Sequence, residues 1–190
     1  ISLEPDHIKI PSAMNNHWQL LGRMCDDFPG EMHVSLGMTT PDEESKIIDL
    51  FQAHERLQDV VLYHCTSGYP VPPVDICLLG IPRLVKEYGD RVKAIGFSAH
   101  YTGIGLDGPA FVLGANYIER HFTLDRAWKG TDHAASLEPD GLRRARKDTI
   151  SVAQALRHKE RDILEIEEPQ REKLKFRPDE SSATSPEARE

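Results

Sequence analysis

Apolar and polar positions along the chain follow two alternating patterns. Short runs rich in β-branched and aromatic residues are typical of buried strands, and longer stretches with apolar residues every three or four positions are typical of helices. Five runs of the first kind recur, and their starts are spaced roughly every 25 to 33 residues. The predicted strands are His7–Ser12, Met32–Gly37, Val60–Thr66, Val92–Ser98 and Tyr117–Phe122.

Helical patterns fill the intervals between these strands. Residues 40–43 have the form of a capping box, with Thr40 as the N-cap, Pro41 at the first helical position and Glu43 at the third. Pro82 would kink the third helix or make it begin late. The predicted helices are Asn16–Cys25, one from Pro41, Asp75–Tyr88, Leu106–Leu113 and one from Pro139.

This order of elements predicts an α/β fold with a parallel sheet. The repeat length fits a (β/α)8 TIM barrel, but an open doubly wound sheet has the same local pattern. A complete barrel has eight strands, and the pattern supplies five. We expect this fold over residues 1–160, and a charged, disordered tail over residues 161–190, which are rich in Glu, Arg, Pro and Ser.

The composition narrows the classes of function. The formal net charge of -8 over 190 residues disfavours nucleic acid or an anionic membrane surface as a partner. No run approaches the roughly 20 apolar residues of a membrane span, and no signal peptide is recognisable. Cys25, Cys65 and Cys77 form no CxxC pair and fit reduced thiols. We therefore expect a cytoplasmic protein.

Each predicted strand ends in side chains that are able to bind a ligand. The carboxyl-terminal ends of parallel strands share one edge, and βα proteins bind their ligands there. The sequence therefore predicts an anion site and a candidate metal site at this edge. The strand-end residues are Lys9, Ser12, Ser35, Gly37, Thr66, Ser67, Tyr69, Ser98, His100 and His121.

Several of these residues have two interpretations. His100 and His121 follow neighbouring strands, so one cation would be within reach of both rings, or each ring would only form hydrogen bonds. Lys9 would bind a carboxylate or phosphate as a point charge, or extend into solvent as a surface lysine. Asp132, in the loop after the fifth strand, would orient a water or hold a sugar hydroxyl, or be solvated.

Six segments, in the right order, resemble motifs of the N-acetylneuraminate (sialic acid) synthase family. Two are long: residues 118–126 read IERHFTLDR, and residues 130–139 read GTDHAASLEP. The resemblance extends over about residues 7–157. The shorter segments are Lys9–Ser12, Ser35–Met38, His64–Pro70 and Gly96–His100.

The resemblance implies that the five strands correspond to strands four to eight of a (β/α)8 TIM barrel. It also implies a metal-assisted condensation of phosphoenolpyruvate with N-acetylmannosamine or a related N-acyl amino sugar, which gives a nonulosonic (sialic-type) acid. A divalent metal, usually Mn²⁺, would be bound by His100 and His121. His100, His121 and Asp132 would be the catalytic residues.

Substrate contacts follow from the same resemblance. Tyr69 and Asp132 would contact the sugar or its water. The early strands of the family's barrel and its C-terminal antifreeze-like domain have no counterpart in this sequence, so a homodimer or a preceding segment would complete the site. Phosphoenolpyruvate would be held by Lys9, Ser12, Ser35, Ser67 and Ser98.

Two departures from the family pattern bear on turnover. Met14 stands where the family often has an acidic residue, and Ala99 stands where it has an aspartate. The chain is therefore interpreted as a fragment of a synthase, one part of a split enzyme, or a degenerate paralogue that binds phosphoenolpyruvate, sugar or metal without turnover. Another phosphoenolpyruvate-condensing synthase is a further alternative, and the IERHFTLD string speaks against it.

Overall fold

Five parallel strands form one sheet in the computed structural model, which describes residues 4–176. Each strand pairs with the next one in the chain, and no strand is inserted out of order. The α/β class is therefore confirmed, and the sequential order is that of a TIM barrel, since a doubly wound sheet reverses its strand order. The strands are β1 His7–Ile10, β2 Glu31–Ser35, β3 Val60–Cys65, β4 Ala94–Ala99 and β5 Tyr117–Arg120.

The sheet curls into half a barrel. Lys9 on β1 and Glu119 on β5 belong to the two edge strands, yet Lys9 Nζ lies 3.1 Å from Glu119 Oε2. Because side chains alternate between the faces of a strand, every second residue points into this concave side. By the register, the inner residues include Lys9, His33, Ser35, Val61, Tyr63, Cys65, Ala94, Gly96, Ser98, Tyr117 and Glu119.

Helices cover the outer face of the sheet. They are α1 Trp18–Asp27, α2 Pro41–Ala53, α3 Gly80–Tyr88, α4 Asp107–Val112 and α5 Pro139–Ala155. Burying one large apolar side chain contributes about 1.5–3 kcal/mol, so this layer fixes the outer side of the sheet. The buried residues shared by strands and helices include Ile10, Val34, Leu62, Ile95, Phe97, Leu21, Ile47, Phe51, Ile81 and Leu84.

The helix starts follow the local sequence signals. The capping box before α2 is confirmed, because Thr40 Oγ1 accepts from the Glu43 N–H at 3.3 Å and Glu43 Oε2 accepts from the Thr40 N–H at 2.9 Å. The third helix begins late, at Gly80 instead of Asp75. Pro82 therefore lies in its first turn, where the missing N–H breaks no hydrogen bond of the helix.

The chain divides into two compact units, of which the first ends at Ala155 and the second begins at Leu156. The boundary predicted after residue 160 lies five residues beyond this division and stays a prediction. Within the predicted tail, a turn at Glu165–Glu167 leads into α6 Glu168–Leu174, because Glu167 accepts from the Leu164 N–H at 2.9 Å and caps this helix start. Residues 177–190 of that prediction lie outside the described residues.

None of the helices between residues 4 and 176 combines the length and the apolar content that crossing a bilayer requires.

Candidate active site

Lys9 is held at the carboxyl-terminal edge of the sheet. Its ammonium group donates to Ser35 Oγ at 2.7 Å and to the carbonyl oxygen of Ile10 at 3.3 Å. It also lies 3.1 Å from Glu119 Oε2. The side chain is 30% exposed, so it does not extend into solvent like a surface lysine. A positive charge is therefore fixed beside a hydroxyl group at the mouth of the half-barrel.

Ser12 and Ser67 approach each other over Gly37. The Gly37 N–H donates to Ser12 Oγ at 3.0 Å, and Ser67 Oγ is buried with no hydrogen-bond partner among the described residues. A methyl group on Gly37 would lie 2.4 Å from Ser67 Oγ and 2.6 Å from Ser12 Oγ. The absent side chain thus leaves a small space lined by two hydroxyl groups, and one of them is free to bind an oxyanion.

His100 follows β4 and is buried. Its Nδ1 lies 2.9 Å from the Thr66 carbonyl oxygen, which can only accept, so Nδ1 carries the proton and Nε2 carries the lone pair. Ser98 Oγ lies 3.4 Å from that Nε2. Burial lowers the pKa of His100, but the hydrogen bonds to Cys65 and Thr66 outweigh this effect and raise the pKa overall.

His121 follows the end of β5 and lies next to His100. The ring centroids are 5.0 Å apart, edge to face. His121 Nδ1 lies 3.4 Å from Asp132 Oδ2, so its Nε2 remains available. Burial, and then the neighbouring His100, lower the pKa of His121, which favours the neutral ring. The Tyr69 ring lies 4.6 Å from His100 and 5.6 Å from His121.

The two imidazoles fit a divalent cation as part of a ligand set. Each ring has one nitrogen next to an acceptor, an arrangement that orients metal-bound histidines. Within residues 4–176, no group of three or more His, Cys, Asp or Glu side chains is suited to hold a metal ion. The other ligands would be substrate oxygens, water or groups outside these residues, so the roles of His100 and His121 stay predictions.

The structure adds two side chains that the sequence analysis did not place in the site. Glu119 contacts Lys9, and Cys65 Sγ lies 3.5 Å from Ser12 Oγ and 3.9 Å from His100 Nδ1. The available signal was strand alternation, because Glu119 precedes His121 by two positions and therefore shares its face.

The two departures from the family pattern differ in their positions. Ala99 is buried in the apolar core on the outer face of β4, so the substitution there removes no group from the inner face. Met14 lies partly exposed in the turn Ser12–Met14, directly after β1. Of these two departures, the one at Met14 is therefore the one that bears on the site.

The sequence matches the model of the NeuB family over residues 1–161. The chain belongs to the NeuB family. It is 36% identical over 143 residues to the N-acetylneuraminate-9-phosphate synthase of Homo sapiens, and this match includes 75% of the chain and 39% of that protein. It is 34% identical over 146 residues to an N,N'-diacetyllegionaminic acid synthase of Legionella pneumophila, with 75% of the chain and 40% of that protein covered.

Solved structures with this fold agree with the family assignment. The crystal structure of an N-acetylneuraminic acid (sialic acid) synthetase from Leptospira borgpetersenii, in complex with citrate, superposes with a TM-score of 0.74 at 27% identity. The superposition covers 90% of the chain and 59% of that structure. This NeuB chain therefore spans well under half the length of the sequence relatives above and somewhat more than half of this structure.

Proposed function

We propose that this chain forms the anion- and metal-binding part of a nonulosonic acid synthase that condenses phosphoenolpyruvate with an N-acyl amino sugar. The names of its NeuB relatives supply the product class. The observation that carries the proposal is the convergence at one edge of the sheet of the Lys9 ammonium, the free Ser67 hydroxyl and the His100–His121 pair. An enol phosphate and an aldehyde need this combination of a fixed cation, hydroxyl donors and metal ligands.

The anion part of the site would bind phosphoenolpyruvate. Lys9 offers a positive charge to its carboxylate or phosphate, and the Ser35 hydroxyl lies 2.7 Å from the same ammonium group. Ser12 and Ser67 line the space over Gly37 and would donate to the remaining oxygens. Ser98, which is buried beside His100, would join the two halves of the site.

The other part of the site would bind the sugar. C3 of phosphoenolpyruvate attacks the open-chain aldehyde, water attacks C2, and phosphate leaves. His100 and His121 would bind a divalent cation, preferably Mn²⁺, which would act as a Lewis acid and polarise the aldehyde oxygen. Asp132 orients His121 through Nδ1. Burial raises the pKa of Tyr69, so its phenol stays protonated at neutral pH and can donate to the sugar or its water.

The test measures the reaction in the whole natural protein that carries this chain. Phosphoenolpyruvate, Mn²⁺ and N-acyl amino sugars are supplied, and phosphate release and the mass of the product are recorded. We expect Lys9→Met and His121→Ala to lower turnover by roughly 100-fold or more, because each removes a group that stabilises developing charge. His158→Ala, at an exposed histidine, is the matched control. Wild-type rates in both site variants would refute the assignment.

A second candidate is a binding protein without turnover, and Met14 is the observation that favours it. A thioether cannot transfer the proton that a carboxylate would, and Met14 lies two residues after Ser12 at the site. The same preparation distinguishes the two. Calorimetric binding of phosphoenolpyruvate and Mn²⁺, without phosphate release for any amino sugar tried, would establish the binding protein.

A further inference from the structure

The ring of Tyr63 lies on the inner face of β3, beneath the ammonium group of Lys9. Lys9 Nζ is 5.4 Å from the ring centroid. The Tyr63 side chain is almost completely buried, at 4% exposure. The face of an aromatic ring attracts a cation within about 6 Å, and the attraction is stronger away from water. The ring therefore supplies a further contact to the ammonium group, in addition to those with Ser35 and Glu119.

His33 fixes the position of this ring from the other side. The Tyr63 hydroxyl lies 2.8 Å from His33 Nδ1, and both side chains are buried. Burial, and then Glu119, raise the pKa of Tyr63 far above its usual value, so the phenol stays protonated and donates. Burial, and then His7, lower the pKa of His33, which favours a neutral ring whose Nδ1 accepts this hydrogen bond. The hydroxyl end of the Tyr63 ring is thus held in place by its hydrogen bond to His33.

Gly96 provides the space that the ring occupies. It is the register partner of Tyr63 on β4. A methyl group at Gly96 would lie 2.6 Å from Tyr63 Cε1 and 2.7 Å from Cδ1, closer than carbon atoms approach. Only a residue without a side chain lets the ring lie across the neighbouring strand. The ring is therefore confined by Gly96, by the hydrogen bond to His33 and by Lys9 itself.

We propose that Tyr63 is a positioning residue for the anion-binding lysine. Lys9 has a flexible four-carbon stem, and its ammonium group has several acceptors within reach. The confined ring restricts the ammonium group to the position beside Ser35, at the mouth of the half-barrel. The contact between Lys9 and the Tyr63 ring follows from the distances given above, whereas the identity of the anion rests on the proposed function.

The first measurement needs no ligand. In the NMR spectrum of the 190-residue chain, the ring current of Tyr63 shifts the ε-methylene resonances of Lys9, which are assigned by their loss in Lys9→Met. We expect the shift to persist in Tyr63→Phe, which keeps the ring, and to disappear in Tyr63→Leu. Tyr63→Met gives the same comparison if Tyr63→Leu does not fold. An unchanged Lys9 resonance in the folded ring-less variant would overturn the proposal.

The second measurement is the affinity for phosphoenolpyruvate, by calorimetry on the whole natural protein. Loss of a partly buried cation–π contact predicts roughly three- to thirtyfold weaker binding in Tyr63→Leu, and Tyr63→Phe restores most of it. Tyr88→Leu is the matched control, because its partly buried ring also lies near a cation, 5.8 Å from the guanidinium of Arg91, at the C-terminal end of α3. A role limited to packing predicts that folded Tyr63→Leu binds phosphoenolpyruvate as tightly as the wild type, whatever its loss of unfolding free energy.

The outcomes separate this inference from the proposed function. If Lys9→Met abolishes binding and Tyr63→Leu leaves it unchanged, the positioning role is wrong and the proposed function stands. If Lys9→Met binds phosphoenolpyruvate like the wild type, the anion role of Lys9 fails, and the resonance of Lys9 still decides whether Tyr63 holds it.

Discussion

Gly37 is placed where two hydroxyl groups of the site come together. Ser12 Oγ and Ser67 Oγ occupy the region in which any larger residue at position 37 would put its Cβ. Gly105, in the loop after β4, has no atom within 4 Å of the same point. The two glycines therefore offer a matched comparison between a position inside the site and one in open space.

We predict that Gly37→Ala weakens phosphoenolpyruvate binding at least tenfold, because the methyl group displaces both hydroxyl groups. Overpacking of this kind also costs about 1–3 kcal/mol of unfolding free energy. Calorimetry gives the affinity and urea unfolding gives the stability. Gly105→Ala should leave both nearly unchanged. Equal affinities for the two alanine variants would show that Ser12 and Ser67 do not bind the substrate.

At the scale of single residues, the sequence predicted most side chains of the site but not the contacts between them. Strand ends identified Lys9, His100 and His121, because carboxyl-terminal ends of parallel strands meet at one edge. Glu119 and Cys65 were not selected, since neither looks different from a packing or surface residue until the inward-facing positions of the strands are known. Alternation groups the residues of a strand by face, but which face becomes the concave side depends on the curvature of the sheet, and no local pattern encodes that curvature.

Between β4 and β5, one buried ion pair fastens a loop to the sheet. Arg120, on the outer face of β5, donates to Asp107 Oδ1 at 2.8 Å, and their side chains are 3% and 2% exposed. Arg120 also donates to the carbonyl oxygen of Gly103 at 2.8 Å. The loop after β4, which begins directly beyond His100, is therefore held by the strand that precedes His121.

We predict that Asp107→Ala lowers the unfolding free energy by about 3–5 kcal/mol, because it leaves the Arg120 guanidinium buried without its partner. Asp27→Ala removes a carboxylate from an exposed pair with Arg23 and should change stability by no more than about 1 kcal/mol. Chemical denaturation measures both. Similar losses in the two variants would show that the buried pair contributes no more than a surface pair.

The elements differ in how well the sequence defined them. The capping box at Thr40 fixed the start of α2, because its signal lies within four residues. The segment holding α6 was predicted to be disordered on its charge content, but its charges form local contacts such as Lys159 Nζ to Glu167 Oε1 at 2.8 Å. Composition alone does not distinguish charges that repel from charges that pair.

For the whole molecule, the strand order distinguishes a barrel from an open doubly wound sheet, which the repeat length alone does not. A sequential parallel order and an ion pair between the first and last strands are properties of a closing barrel, not of an open sheet. Neither property has a local sequence signal, because strand pairing joins residues more than twenty positions apart and Lys9 lies more than a hundred positions from Glu119. The match to the last five strands of the family's barrel stays a prediction.

Stability should fall as the pH drops below about 6.5. His64 donates from Nε2 to the Ile76 carbonyl oxygen at 2.8 Å, and burial lowers its pKa from 6.5. The unfolded chain therefore binds a proton before the folded chain does. His64→Gln keeps a donor and does not titrate, so its unfolding free energy should fall less between about pH 7.5 and 5.5. The pKa values of His33 and His121 are also lowered, so both contribute to the remaining fall. Parallel pH profiles would contradict this role of His64.

The most direct test of the site asks whether the cation and the enol phosphate bind side by side. Protein-bound Mn²⁺ should broaden the ³¹P resonance of phosphoenolpyruvate in the whole natural protein. The broadening should vanish in His121→Ala and in Lys9→Met, because the first removes a metal ligand and the second removes the anion contact. Equal broadening in the wild type and in both variants would contradict a shared site at the strand ends.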